Sequence, residues 1–260
     1  MRRMDRTLKR REAGEMGNKI LSQINASILV NAIYAMQGYP AMLISNLLAP
    51  IAIIVVVTLV SKGALVGVAV SGALITAFVG GGLSLQADLS HLKNDFKLQD
   101  MVVSSPTSAA VYLLGMAISE LIFQIPSIVV LLVLAFFFVH VTLSAAAALE
   151  IFGVLLLLYV FSVVLGFFLS TLSSDIIQSW AFIGILSILM TTIPPVYYPI
   201  AYIPLPWRYI AYISPTTYAA GIVQSVFGYP TNIAIDWAVL IGLTLILFVV
   251  AMKKNRWRDV

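Results

Sequence analysis

TSAAVYLLGMAISELIFQIPSIVVLLVLAFFFV, residues Thr107 to Val139, decides the fold of this chain. The stretch is 33 residues long and holds one charged side chain, Glu120. A helix of that length reaches about 50 Å at 1.5 Å per residue, whereas the hydrocarbon core of a bilayer is about 30 Å thick. The segment therefore crosses a membrane with length to spare, so part of it projects or the helix bends. Pro126 removes a backbone donor and crowds the preceding turn, which predicts a kink near Gln124.

Toward the N-terminus, a polar stretch from Gln86 to Pro106 carries Asp88, His91, Lys93, Asp95, Lys97 and Asp100. Before it lie two further apolar runs, a first span from about Pro40 to Ser61 and a second from about Leu65 to Leu85, separated by a tight turn at Lys62 to Ala64. Asn18 to Gln37 interleaves Ser22, Gln23, Asn25, Ser27 and Asn31 with apolar residues and makes a poor signal-peptide core. Ile20, Ile24 and Ile28 recur every four residues with Leu21 alongside, a pattern that favours a helix lying along the inner membrane surface.

Toward the C-terminus, a fourth span falls within Leu143 to Leu172. Ser173 and Ser174 followed by Asp175 read as a serine cap with an acid in the first turn. They open a fifth span, Asp175 to Ile193. A sixth, Ile233 to Met252, ends against Lys253, Lys254, Arg256 and Arg258. Between these two, Pro194 to Pro230 holds seven of the eleven prolines of the chain, with Tyr197, Tyr198, Tyr202, Trp207, Tyr209, Tyr212 and Tyr218. Amphipathic rings favour the headgroup level, and no straight helix passes through that many prolines. Short helices lying at, or dipping into, one membrane face are expected there.

The whole chain fits this reading: 61% of its 260 residues are hydrophobic and 10% are charged, with a mean hydropathy of +1.02. Such values lie outside those of water-soluble domains. Positive charge sorts cleanly across the six spans. One side holds seven Lys and Arg in the N-terminal region, two in the loop after span two and four at the C-terminus, against Lys62 and Arg208 on the other. The bias places both termini, the 86–106 loop and the Asp175 turn in the cytoplasm, and the proline-rich segment outside. The expected class is all-α, a multi-pass cell-membrane protein with a single transmembrane domain over 1–260. Its parts are a cytoplasmic tail and interfacial helix (1–39), a six-span bundle (40–252) with re-entrant helices between spans five and six, and a cytoplasmic tail (253–260).

Several kinds of chemistry lack their residues. Cysteine is absent, which removes disulfides and thiolate sites. No Gly-x-x-x-x-Gly-Lys-Ser/Thr string occurs to cradle phosphate, and Gly80, Gly81 and Gly82 sit in an apolar span, where close helix packing is their expected role. His91 and His140 fall on opposite membrane sides, so they share no metal and neither serves a serine hydrolase at depth. Glu120 and Glu150 are acids within apolar stretches, read either as interfacial groups with water access or as lining a substrate path. The loop residues Asp95, Phe96, Lys97, Leu98, Gln99 and Asp100 mix apolar and charged side chains at helical spacing. They suit either a short amphipathic helix facing a partner or a solvated loop.

The proline-rich segment carries a further signal. Ile193 to Tyr198 (IPPVYY), Ile203 to Trp207 (IPLPW) and Ile210 to Tyr218 (IAYISPTTY) together resemble the signature of ABC-2 type permeases, membrane subunits of one class of ABC exporters. Serine at 214 stands where the family usually has asparagine. The N-terminal amphipathic helix and the stretch DFKLQDMVVSSPT, Asp95 to Thr107, are similar to the family's interfacial helix and cytoplasmic coupling helix. This resemblance implies a homodimer or heterodimer of permease subunits in the bilayer, each docked through residues 95–100 on a separate ATP-binding subunit. It implies no cofactor on this chain, ATP and Mg on that partner, and no nucleic-acid role. It also implies an exit closed by the aromatic and proline residues, among them Tyr197, Tyr198 and Trp207.

Two rivals come from the residues themselves. An ion-coupled transporter or channel would use Glu120 and Glu150 as carriers, although no inverted repeat with paired broken helices is visible. A membrane enzyme would turn over substrate unaided. Lipid, drug, glycan or peptide would each suit a path lined by aliphatic residues.

Overall fold

The computed structural model describes residues 17–94, 109–139, 144–173 and 175–254, and these are helical with short links. Helix α1 covers 17–38 and contains a π-helical turn at Leu29–Tyr34. It is followed by α2 (Pro40–Val60), α3 (Val66–Asn94), α4 (Ala109–Phe138) and α5 (Ala145–Ser170). Next come α6 (Ile176–Ser187) with a π turn at Ile188–Thr192, a 3-10 turn at Ile200–Tyr202, α7 (Trp207–Ala211), α8 (Pro215–Ser225) and α9 (Ile233–Lys254). Among the described residues, five helices are long and apolar enough to cross a membrane: Pro40–Val60, Val66–Ser90, Val111–Phe138, Ala145–Ser170 and Ile233–Lys253. The expected fifth span is the shorter apolar helix Ile176–Thr192. The molecule is a polytopic all-helical membrane protein.

Capping chemistry sets several boundaries. Lys62 (φ 51°) and Gly63 (φ 87°) turn left-handed after α2, with Gly63 N–H donating to Thr58 C=O and Lys62 N–H to Leu59 C=O. This is the paired closure of a Schellman motif and the physical form of the expected tight turn. Ser144 accepts from Ala147 N–H and opens α5. At α6 the expected serine cap is corrected, because Asp175 itself is the N-cap and takes the Gln178 N–H at 2.7 Å. A carboxylate does both tasks, satisfying an orphan donor and facing the positive end of the helix.

The second span is also corrected. Expected to end at Leu85, α3 continues to Asn94, so the first nine residues of the expected loop are helical. Gln86, Ala87, Leu89 and Ser90 are buried, and Gln86 Nε2 donates to Ser173 Oγ at 3.0 Å. Polarity here marks contact with another helix rather than with water. The remainder of that loop, 95–106, lies outside the described residues. Pro126 lies inside α4, which runs as one helix from Ala109 to Phe138 despite the missing donor.

The bundle is built around α3. Its most apolar window is 83% buried, against 6% for α2. Lipid tails are as apolar as leucine, so helices associate through close packing rather than through flight from water. Small residues supply that closeness. A Cβ on Gly82 would lie 2.5 Å from Ser162 Cβ, and one on Gly166 would lie 3.0 Å from the Gly82 carbonyl, which makes α3 and α5 a tight pair. Gly81 faces Gln124 of α4 in the same way, whereas Gly80 has open space and plays no such part. Around these contacts lies one apolar core that includes Ile75, Val79, Leu83, Leu131, Leu158, Ile222 and Leu240.

Contacts define the two ends of the bundle. Gly67 meets Phe227, and Trp237 donates to Glu150, at the Lys62 end. Gln86 meets Ser173, and Ser27 of α1 meets Ser119 of α4, at the Asn94 end. Residues 67 and 86 of α3 are separated by about 28 Å at the helical rise, close to the thickness of the hydrocarbon core.

Candidate functional site

The proline-rich segment is seated on the central helix. After the π turn of α6 the chain leaves helical geometry at Pro194 and Pro195, neither of which can donate to a ladder. Val196 and Tyr197 are buried against α3 at Gly72, where an added Cβ would meet the Val196 carbonyl at 2.6 Å and the Tyr197 ring at 2.7 Å. Tyr197 Oη and Thr76 Oγ1 form a hydrogen bond of 2.7 Å. Gly72 and Thr76 are one helical turn apart, so a single face of α3 provides both the space and the polar partner.

From the other side, Gln224 of α8 holds the segment. Its buried Nε2 donates to the Pro195 carbonyl at 2.9 Å and stands 3.4 Å from the carbonyls of Val196 and Tyr198. An amide here answers carbonyls that a proline-broken chain leaves without helical donors. Tyr198 Oη donates to the Ile193 carbonyl, and Tyr218 Oη to the Tyr212 carbonyl. Arg208 donates to the carbonyls of Ala201 and Ile203. The result is a compact cap, tied together mainly through main-chain oxygens.

Of the expected gate residues, Tyr197 and Tyr198 belong to this cap, Tyr197 buried and Tyr198 half-buried. Trp207 does not share their packing: it opens α7 and is 63% exposed.

The two apolar-stretch acids have different surroundings. Glu120 is buried in α4 toward the Asn94 end, where its carboxylate accepts from Ser84 Oγ at 2.5 Å and lies close to Asp88, both residues of α3. Glu150, in the second turn of α5, is half-buried and accepts from Trp237 Nε1 at 3.3 Å. The structure does not bring the two acids together. Residues Asp95 to Asp100 lie outside the described residues, as does His140.

Sequence reasoning missed Gly72, Thr76, Gln224, Ser84 and the role of Asp88. Gln224 carried the strongest available signal, as an amide in a short, largely apolar helix. Thr76 carried none, because a threonine in a membrane helix ordinarily bonds to its own backbone.

The apolar helical bundle, with its proline and tyrosine cap seated on the buried central helix, is that of a multi-pass membrane protein. A family model, ABC-2 type transporter, matches residues 23–228. The chain belongs to the ABC-2 type transporter family and is a permease component of an ABC transporter. The match begins in α1 and ends just after α8, so it takes in both the Asn94-end acids and the whole cap. No curated protein matches the chain.

Proposed function

We propose that this chain is the transmembrane subunit of an ABC exporter, moving a substrate out across the cell membrane with ATP hydrolysed on a separate subunit. The family match over 23–228 is the observation that carries this reading. Residues 95–100 follow directly on α3, the most buried helix, and α3 bears the proline and tyrosine cap at Gly72 and Thr76. A push delivered by a partner at 95–100 would thus be transmitted along one rigid element to the cap. Asp95, Phe96, Lys97, Leu98, Gln99 and Asp100 form the docking element, with Phe96 and Leu98 as its apolar contacts.

In this reading the Asn94 end is cytoplasmic, as are both termini, and the Lys62 end faces outward. The fifth crossing in chain order is made by α6 with its π turn, completed by the segment through Pro199. The short helices α7 and α8 are the re-entrant elements, and Tyr197 and Tyr198 are the closing part of the exit. Trp207 anchors α7 at the headgroup level. Helix α1, with Leu21, Leu29, Val30 and Ile33 exposed, lies in the inner interface. A second permease subunit, identical or not, completes the pathway, and α2, with Leu48, Val56, Leu59 and Val60 exposed, faces lipid or that subunit.

Affinity purification of the tagged chain tests the docking. The wild type is expected to bring an ATP-binding subunit with it, and Phe96→Asp with Leu98→Asp is expected to release that subunit while the chain itself stays in the membrane fraction. Retention of the ATPase by this double variant would refute docking through 95–100.

A further inference from the structure

Beside the cap, at the Lys62 end of the bundle, opens a cavity of about 880 Å³ between α8, α9 and the proline segment. Binding sites for drug-sized molecules range over about 300 to 1,000 Å³. Three tyrosines line it, Tyr212, Tyr218 and Tyr229, together with Pro195, Pro199 and Ile200. The rings of Tyr212 and Tyr218 are 6.0 Å apart and tilted by 38°. One acid, Asp236, lines the same space and is itself only 9% exposed.

Asp236 has no cationic partner among the described residues. Its Oδ2 accepts from Thr231 Oγ1, while Oδ1 accepts no hydrogen bond among the described residues. No lysine or arginine among the described residues pairs with it, and Arg208, a cation of the same segment, is committed to the carbonyls of Ala201 and Ile203. Gly221 allows α8 to approach this carboxylate, since a Cβ there would lie 2.8 Å from Oδ2. Asp236 also stands in the first turn of α9, where the helix dipole favours an acid. That role needs neither a cavity nor aromatic walls.

We propose that this cavity binds an organic cation with an apolar body, its charge set against the Asp236 carboxylate and the tyrosine rings, its body against the proline and isoleucine walls. A buried carboxylate without a counter-ion is costly, and a cation entering the cavity offsets that cost. Aromatic faces attract the same charge. A hard metal ion is the poorer occupant, because it needs six or more oxygen ligands and one carboxylate supplies at most two. The inference rests on the permease reading for its meaning, a cationic cargo held near the exit, though the site itself stands on the cavity alone.

The test uses the full chain in lipid nanodiscs without any ATP-binding subunit, titrated calorimetrically with tetraphenylphosphonium and with the uncharged triphenylphosphine oxide. One saturable site per chain is expected for the cation and none for the neutral compound. Asp236→Asn, which keeps the shape and the Thr231 bond, is expected to weaken the cation by about tenfold, a loss of about 1.4 kcal/mol. Tyr229→Leu is expected to weaken it by about threefold. Equal binding of the neutral compound, undiminished binding by Asp236→Asn, or no saturable binding to the wild type would each overturn the proposal. Should Asp236→Asn fail to fold, an unchanged affinity in Tyr229→Leu decides against the site. Copurification of the ATPase is read separately, so the cavity and the docking element can fail independently.

Discussion

Glu120 shows how a single side chain in this bundle is judged by its partners. It takes a hydroxyl from Ser84, a bond that ties α4 to α3, and lies close to a second acid on the same face of α3, Asp88. Glutamine offers both an acceptor for Ser84 and a donor for Asp88. Glu120→Gln is therefore expected to leave thermal stability in detergent near that of the wild type, while Glu120→Ala removes the bond from Ser84 and the packing of a buried side chain and lowers it by about 1 to 3 kcal/mol. Glycines divide in the same way. Gly82→Val drives a side chain into Ser162 and the Val163 backbone and is expected to lose about 1 to 3 kcal/mol, seen as a lowered melting temperature and poor yield. Gly80→Ala meets nothing within 4 Å and is expected to be neutral, or stabilising by up to about 1 kcal/mol through helix propensity. The run Gly80 to Gly82 was legible as a packing motif. Which two of the three pack was not, because successive helical residues point about 100° apart and the sequence does not say where the neighbours stand.

At the scale of elements, the proline segment is held from both sides, by Thr76 of α3 and by Gln224 of α8. Removing the amide in Gln224→Leu is expected to loosen 195–198 without unfolding α8, whose remaining buried face is apolar apart from its threonines. The absence of native cysteine makes this measurable, since a single cysteine at Pro199 is the only thiol. Its reaction with a maleimide should accelerate in the Gln224→Leu background, and an unchanged rate would show that Gln224 does not restrain the segment. Thr76→Val and Tyr197→Phe, made singly and together, should give a coupling energy of about 0.5 to 1.5 kcal/mol. Additive effects would mean that the hydrogen bond contributes nothing. Helix α3 carries the matching lesson on boundaries. Its polar extension, 86–94, reads as loop when water is taken to be the only partner for glutamine, serine and aspartate, yet Gln86 finds Ser173 and Asp88 finds Glu120.

For the whole molecule, the proposed orientation makes a sharp prediction. Cysteine placed at Tyr209 should react with a membrane-impermeant maleimide on intact cells, whereas cysteine at Lys253 should react only after the membrane is opened. Labelling of both positions from outside would put Tyr209 and Lys253 on one side of the membrane and overturn the proposed topology. Membrane class, five long apolar runs, the tight turn at Lys62 and the family were legible in the chain read in order, because length of apolar run and proline placement are properties of the sequence. Packing in three dimensions was needed to learn that α3 is the central helix, that Tyr197 rests on Gly72 and Thr76, that Glu120 and Glu150 stand in different surroundings, and that Asp236 faces a cavity. In lipid every face of a span is apolar, so no periodic pattern records which side meets protein. That choice is made by the close fit of small residues and a few hydrogen bonds between helices distant in sequence.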